Sequence, residues 1–361
     1  MRQTRHSAPM EWSREQGAMV SGGGRIERLY DAPRFPWQEE ELPHFHKVRG
    51  STHADFGKWK KERRTHEIVV GAWFRPLFLG GWIHSDATTE SVYNLQTPSL
   101  FIDLRIPNLQ VNERWKSVQG MSELSDDDLR LLARRHCFAG YSLLNEGPWT
   151  SQNPPVCTRH HSIDWNFVGK MRPRPNKWRI EMREDGKVWK EWGYAKDEFD
   201  QHIYLERWEL LPEGKGRYLA IRRDERYGRD AILIVCGNHF NFVMDRPTKM
   251  PFDPERQSHA SLQDLVDKLV QEGNREEAMK YLSLEGCHGR VSGANAWVVD
   301  NALHPWKIGK RLLSPDEVMV KYGENKVMWK GEQWHIVEDS FGPYGLLNLF
   351  AGTLVDRRSA L

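Results

Sequence analysis

SVYNLQTPSLFIDLRIPN, residues 91–108, decides how the rest of the chain is read. Two runs rich in apolar residues, 91–96 and 99–107, flank Thr97-Pro98. Such punctuation between two short runs reads as a turn between strands. Alternation in the second run puts Leu100, Ile102, Leu104 and Ile106 on one face. Phe101, Asp103 and Arg105 fall on the other. Either the aliphatic face packs a core and the charged face lines a cavity, or the charged face simply meets solvent. Phe101 fits a cavity wall better than a wet surface. A charged pair inside a barrel is costly unless its members satisfy each other or a ligand.

The same kind of segment recurs along the chain. Short alternating runs separated by Gly, Pro, Asn or Asp continue from His66 to Leu211, about eight strands in all, with two of them placed around Pro76. A second series of roughly seven runs follows from Gly216 to Asp339. SELSDDDLRLLARR (122–135) carries a capped helix start. SLQDLVDKLVQEGNREEAMKYL (261–282) reads as a helix capped by Ser261, with Leu262, Leu265, Val266 and Leu269 on one face and Gly273 as a break point. Helices are too few for a parallel βαβ fold. The expectation is a mainly β chain of two antiparallel calycin- or lipocalin-like barrels: an extended tail over 1–62, a first barrel with a pocket over 63–211, and a second over 212–361.

Composition limits the function classes. Lys plus Arg is 52 and Asp plus Glu is 50, a net charge of +2, so no polyanion partner such as nucleic acid is expected. Sixteen Trp in 361 residues suit aromatic barrel interiors. Cys137, Cys157, Cys236 and Cys287 form no CxxC pair, and no metal site is expected. No apolar run reaches the ~20 residues of a membrane span, and no secretory leader is visible, so a cytoplasmic protein is expected. The chain carries no phosphate loop, GxSxG elbow or HExxH helix.

Two further segments repeat the pattern of a titratable group among aromatics. In TRHHSIDWNF (158–167) strict alternation groups His161 with Ile163, Trp165 and Phe167. An imidazole there is a candidate acid or base, or a core histidine bonded to backbone. In IYLERWEL (203–210) Tyr204, Glu206 and Trp208 share a face. Glu206 either neutralises Arg105 across the barrel or acts as a base with a raised pKa. Three strands with this pattern point to one polar-centred, aromatic-walled pocket.

VYNLQTPSLFIDLRIP, RHHSIDW and YLERWEL together resemble an uncharacterised group of bacterial proteins with an LQTPSLYxDLRIP-like strand. The layout is also similar to fungal double lipocalin-like barrel proteins. Asn94 and the long tail depart from the pattern. On matching positions the resemblance favours Gln96, Asp103, Arg105, His161, Asp164 and Glu206. The combined expectation is a small-molecule-binding barrel for an apolar or amphipathic molecule, working as a cofactor-free isomerase, cyclase or lyase. His161, Glu206 and Asp103 would move protons. Arg105, Gln96, Phe101, Trp165, Tyr204, Trp208 and Asp164 would line the pocket. The alternatives are a carrier of a lipophile or of haem or another tetrapyrrole, with His161 as axial ligand, and an interaction scaffold.

Overall fold

A computed structural model describes residues 69–80, 84–144, 156–166, 168, 176–183, 185–193, 204–224, 227, 229–247 and 261–351. The tail expected over 1–62, and Phe167, lie outside these residues. The chain is mainly β, in two antiparallel sheets. The first holds β1 (Gly71–Gly80), β2 (His84–Asp86), β3 (Glu90–Gln96), β4 (Leu100–Pro107), β5 (His136–Leu144), β6 (Val156–Asp164), β7 (Asn176–Met182), β8 (Val188–Gly193) and β9 (Tyr204–Leu210). Each strand from β3 onward pairs with the next, and β9 pairs back onto β1, so the sheet closes on itself. Closure removes the exposed edges of the ladder.

Pro76 does not separate two strands as expected. Instead β1 runs through it, and its register against β9 slips between Phe74 and Leu77. A proline can donate no ladder hydrogen bond, and a bulge is where a strand tolerates one. The Thr97-Pro98 turn forms as read. Thr97 Oγ1 accepts from the Leu100 N–H at 3.0 Å, and the Thr97 N–H donates to the Leu100 carbonyl at 2.9 Å.

The second sheet contains β10 (Tyr218–Arg223), β11 (Ala231–Cys236), β12 (His239–Met244), β13 (Glu285–Arg290), β14 (Val299–Ala302), β15 (Val318–Lys321), β16 (Lys326–Trp329) and β17 (Glu332–Asp339). Its order is β14-β13-β12-β11-β10-β17-β16-β15. It curls tightly, because Phe242 on β12 and Trp329 on β16 sit 5.6 Å apart with three strands between them in the ladder. Unlike the first sheet, its two outer strands form no ladder with each other among the described residues. The expected second barrel is therefore an open, curled sheet. Among the described residues five short helices accompany the sheets: α1 (Asn112–Trp115), α2 (Asp126–Leu132), α3 (Leu262–Gln271), α4 (Arg275–Tyr281) and α5 (Gly342–Phe350). The helix read over 261–282 is α3 and α4, split at Gly273, whose φ of +75° favours glycine. Ser261 caps α3 as expected, accepting from the Asp264 N–H. No helix among the described residues is long and apolar enough to cross a membrane.

The largest apolar core lies between the sheets. It joins Leu100, Ile102, Leu104 and Ile106 of β4 with Ile232, Ile234 and Val243 of the second sheet and with Leu265, Val266 and Leu269 of α3. Each such side chain contributes about 1.5–3 kcal/mol on full burial. A separate cluster lies inside the first barrel and includes Trp73, Trp178, Trp189 and Trp208. So the aliphatic face of β4 fixes the two sheets together, and its other face looks into the barrel.

Candidate functional site

The charges of β4 do not meet solvent. Asp103 is fully buried and Glu206 is 2 % exposed. Arg105 grips Asp103 in a two-pronged pair, Nε to Oδ1 at 2.7 Å and Nη2 to Oδ2 at 3.3 Å. Its Nη2 also lies 3.5 Å from Glu206 Oε1. Arg75 of β1 bridges Glu206 at 2.6 Å and Glu90 at 2.5 Å. Arg159 of β6 reaches Asp103 at 3.5 Å, with its guanidinium over the Phe101 and Trp178 rings at 4.3 and 4.5 Å. The barrel interior is thus built around one continuous ion-pair network with aromatic walls. Ion pairs in such surroundings persist because each charge is held by several partners.

Electrostatics then separates the carboxylates into two kinds. Burial pushes the Asp103 carboxyl up, but the guanidiniums of Arg105, Arg159 and Arg75 more than reverse this, leaving it below the ordinary carboxylate value. Glu191 on β8 lies directly opposite Glu206 on β9. Burial, reinforced by the Glu206 charge, pushes its carboxyl up to about 8. The count of charges agrees. Arg75, Arg105 and Arg159 face Glu90, Asp103, Glu206 and Glu191, so protonating Glu191 balances three cations with three anions. Tyr204 donates to Glu191 Oε1 at 2.9 Å. Burial, followed by the charges of Glu191 and Glu206, holds its phenol well above the usual value. Near neutrality Glu191 is a carboxylic acid able to release a proton.

His161 enters the site by a route that strict alternation misses. The register of β5 with β6 slips between Ala139 and Gly140, so Gly140 faces His161 while Ala139 faces Ile163. The extra residue, Ser162, switches the faces of the strand. His161 and Asp164 therefore lie together, with Nδ1 and Oδ2 2.7 Å apart. Asp164 Oδ1 also accepts from the Asn166 N–H. The His161 ring stacks flat on Phe138 at 4.6 Å and meets Phe101 edge-on at 5.5 Å. A buried carboxylate on one ring nitrogen fixes the orientation of an imidazole.

Several expected residues take other roles. Trp165 sits on the far side of the bulge, in the core between the sheets, where its Nε1 donates to the Ala133 carbonyl. Gln96 is pinned by the Thr97 and Leu100 carbonyls and by the Ser142 hydroxyl. Asp103 keeps its charge between arginines and so serves as a counter-ion rather than a proton carrier. Glu206, clasped by Arg75 and Arg105, is likewise the structural neutraliser that the sequence offered as its other role. Phe101 is buried against Phe138, His161 and the Arg159 guanidinium. Tyr204 stacks on Phe78 at 5.9 Å and Trp208 on Trp189 at 5.5 Å.

Arg75, Glu90, Arg159 and Glu191 were not singled out in the sequence. Three of them carry the signature that marked the other strands, an aromatic or titratable residue two positions from a charge: Trp73 with Arg75, Arg159 with His161, and Trp189 with Glu191. Applying the alternation to every strand would have found them.

Inside this barrel the polar capacity exceeds its partners. The Nε1 atoms of Trp178, Trp189 and Trp208, both ends of the Asn94 amide, Arg159 Nε, Glu191 Oε2 and Glu206 Oε2 are buried and have no hydrogen-bond partner among the described residues. All seven side chains are at least nine-tenths buried. Each such group is costly to leave unmet, and seven of them lie on this one barrel wall.

No protein-family model matches the chain, and no curated protein matches it. Among solved structures, the crystal structure of an uncharacterised protein from Saccharomyces cerevisiae is similar, with a TM-score of 0.44 at 13% sequence identity, covering 75% of this chain and 98% of that one.

Proposed function

We propose that the first barrel binds a small, mostly apolar molecule carrying one polar or anionic group, and acts on it by acid–base chemistry without a cofactor, as an isomerase, cyclase or lyase. The observation that carries this reading is the set of unpartnered buried polar atoms on the inner wall. Three indole N–H groups and Arg159 Nε are donors placed among aromatic rings, the surroundings expected for an apolar body with one acceptor. Glu191 supplies the acid, with a pKa near working pH. The His161–Asp164 pair supplies the base. An isomerisation needs no more than this: Glu191 gives a proton to one ligand atom, and His161 removes a proton from another. Kinship with the bacterial group sharing the LQTPSLYxDLRIP-like strand belongs to the same proposal, since Asp103, Arg105, His161, Asp164 and Glu206 are matching positions that converge here.

Native mass spectrometry of the freshly purified protein is the direct test, with a retained small molecule as the expected result. Once that molecule is known, Glu191→Gln and His161→Ala should keep binding and lose turnover. Binding with no turnover in the wild type would make the protein a carrier. Failure to retain or take up any apolar small molecule would end the pocket reading.

A further inference from the structure

The curled second sheet holds a cleft of about 420 Å³, lined by residues within 242–334 and by Gln119. This lies within the ~300–1,000 Å³ usual for small-ligand sites. Its floor is aromatic: Phe242, Trp329 and Trp334 stand with ring centroids 5.1–6.3 Å apart. The Lys330-Gly331 turn, with φ of +52° and +77°, is a tight two-residue hairpin joining β16 to β17. It sets Trp329 and Trp334 on the same face of neighbouring strands.

Two observations define what would fit. First, Trp329 and Trp334 are 6 % and 2 % exposed, and their Nε1 donors have no acceptor among the described residues. Second, the mouth is cationic once its ion pairs are assigned. Of its carboxylates, Glu285 is taken by Lys307 and Arg229, and Glu332 by Arg223. Lys330 lies 3.8 Å from Glu317. Lys310 and Arg311 line the same mouth, are exposed, and have no ion-pair partner among the described residues. The site therefore offers flat apolar surface, hydrogen-bond donors and positive charge, and no uncommitted carboxylate. A cationic ligand would find no counter-charge, and an aliphatic neutral one would leave the indole donors unsatisfied.

We propose that this cleft is a second ligand site, for a small planar organic anion such as an aromatic carboxylate: the ring lies on Phe242, Trp329 and Trp334, and the acid group faces Lys310 and Arg311. The site is independent of the chemistry assigned to the first barrel.

Isothermal titration of the full chain with 2-naphthoate, and with the neutral 2-naphthamide, tests it. The carboxylate should bind, and the amide should bind about tenfold or more weaker. The Lys310→Glu/Arg311→Glu double variant changes only exposed side chains and should lose naphthoate affinity by a similar factor. Trp329→Phe/Trp334→Phe keeps an aromatic ring at each position but removes the donors and part of the stacking surface, and should weaken binding several-fold. No naphthoate binding, equal binding of the amide, or unchanged affinity in the charge-reversed variant would each overturn the proposal; the last result would also assign the binding to another part of the chain.

Discussion

Replacing Glu191 by Gln keeps the shape of the side chain and removes its titration. The wild-type carboxyl has an ordinary value of 4.5 and is pushed up to about 8 by burial and by Glu206 opposite it. Between those two values the folded chain holds a proton that the unfolded chain has released. The contribution of this carboxyl to stability is therefore full below about pH 4.5 and falls as pH rises toward 8. At ~1.4 kcal/mol per pH unit the interval amounts to on the order of 5 kcal/mol. Glu191→Gln has no such slope. The two proteins should have similar stability near pH 5, and the variant should be more stable by several kcal/mol at pH 9. Urea denaturation at pH 5, 7 and 9, followed by tryptophan fluorescence, measures the difference. Parallel pH profiles for the two proteins would show that Glu191 is already ionised at neutral pH, and the charge balance assigned to the barrel would be wrong.

Three other perturbations probe the frame. Gly140→Ala places a Cβ 1.9 Å from the His160 backbone oxygen, which cannot move without undoing the β5–β6 bulge; a large fall in thermal midpoint is expected, and an unchanged midpoint would mean that the bulge is soft. Arg75→Met leaves Glu90 without its guanidinium and Glu206 with Arg105 alone, and should cost about 3–5 kcal/mol in urea denaturation at pH 7; a loss below about 1 kcal/mol would mean that Arg75 does not hold the network together. Thr97→Val removes the hydroxyl that donates to Glu338 of the second sheet at 2.5 Å and should cost about 1–3 kcal/mol, read by urea titration, with no effect on ligand retention by the barrel.

Alternation along SLFIDLRIP sorted the side chains of β4 into two faces, and the structure decided what each face meets. The aliphatic face packs between the sheets and the charged face looks into the barrel, because a period of two fixes which side chains share a surface. The same rule failed in RHHSIDW. One extra residue at Ser162 moved Ile163 and Trp165 to the core and brought Asp164 onto the face of His161. A bulge depends on the partner strand, here on Gly140, which alone leaves room for the backbone of β6. Nothing within residues 158–167 announces it.

The sequence by itself determined the strand-rich class, the split of the long helical segment at Gly273, and which side chains of each regular strand share a face. These follow from local periodicity and capping, which act over a few residues. Only the tertiary structure decided which charge neutralises which, that the outer strands of the second sheet form no ladder with each other among the described residues, and that Glu191 is a carboxyl pushed up by burial. The pairing partners of Glu206 come from Arg75, 131 residues away, and from Arg105. Electrostatic roles are set by distances across the barrel, and those exist only once β9 has closed onto β1.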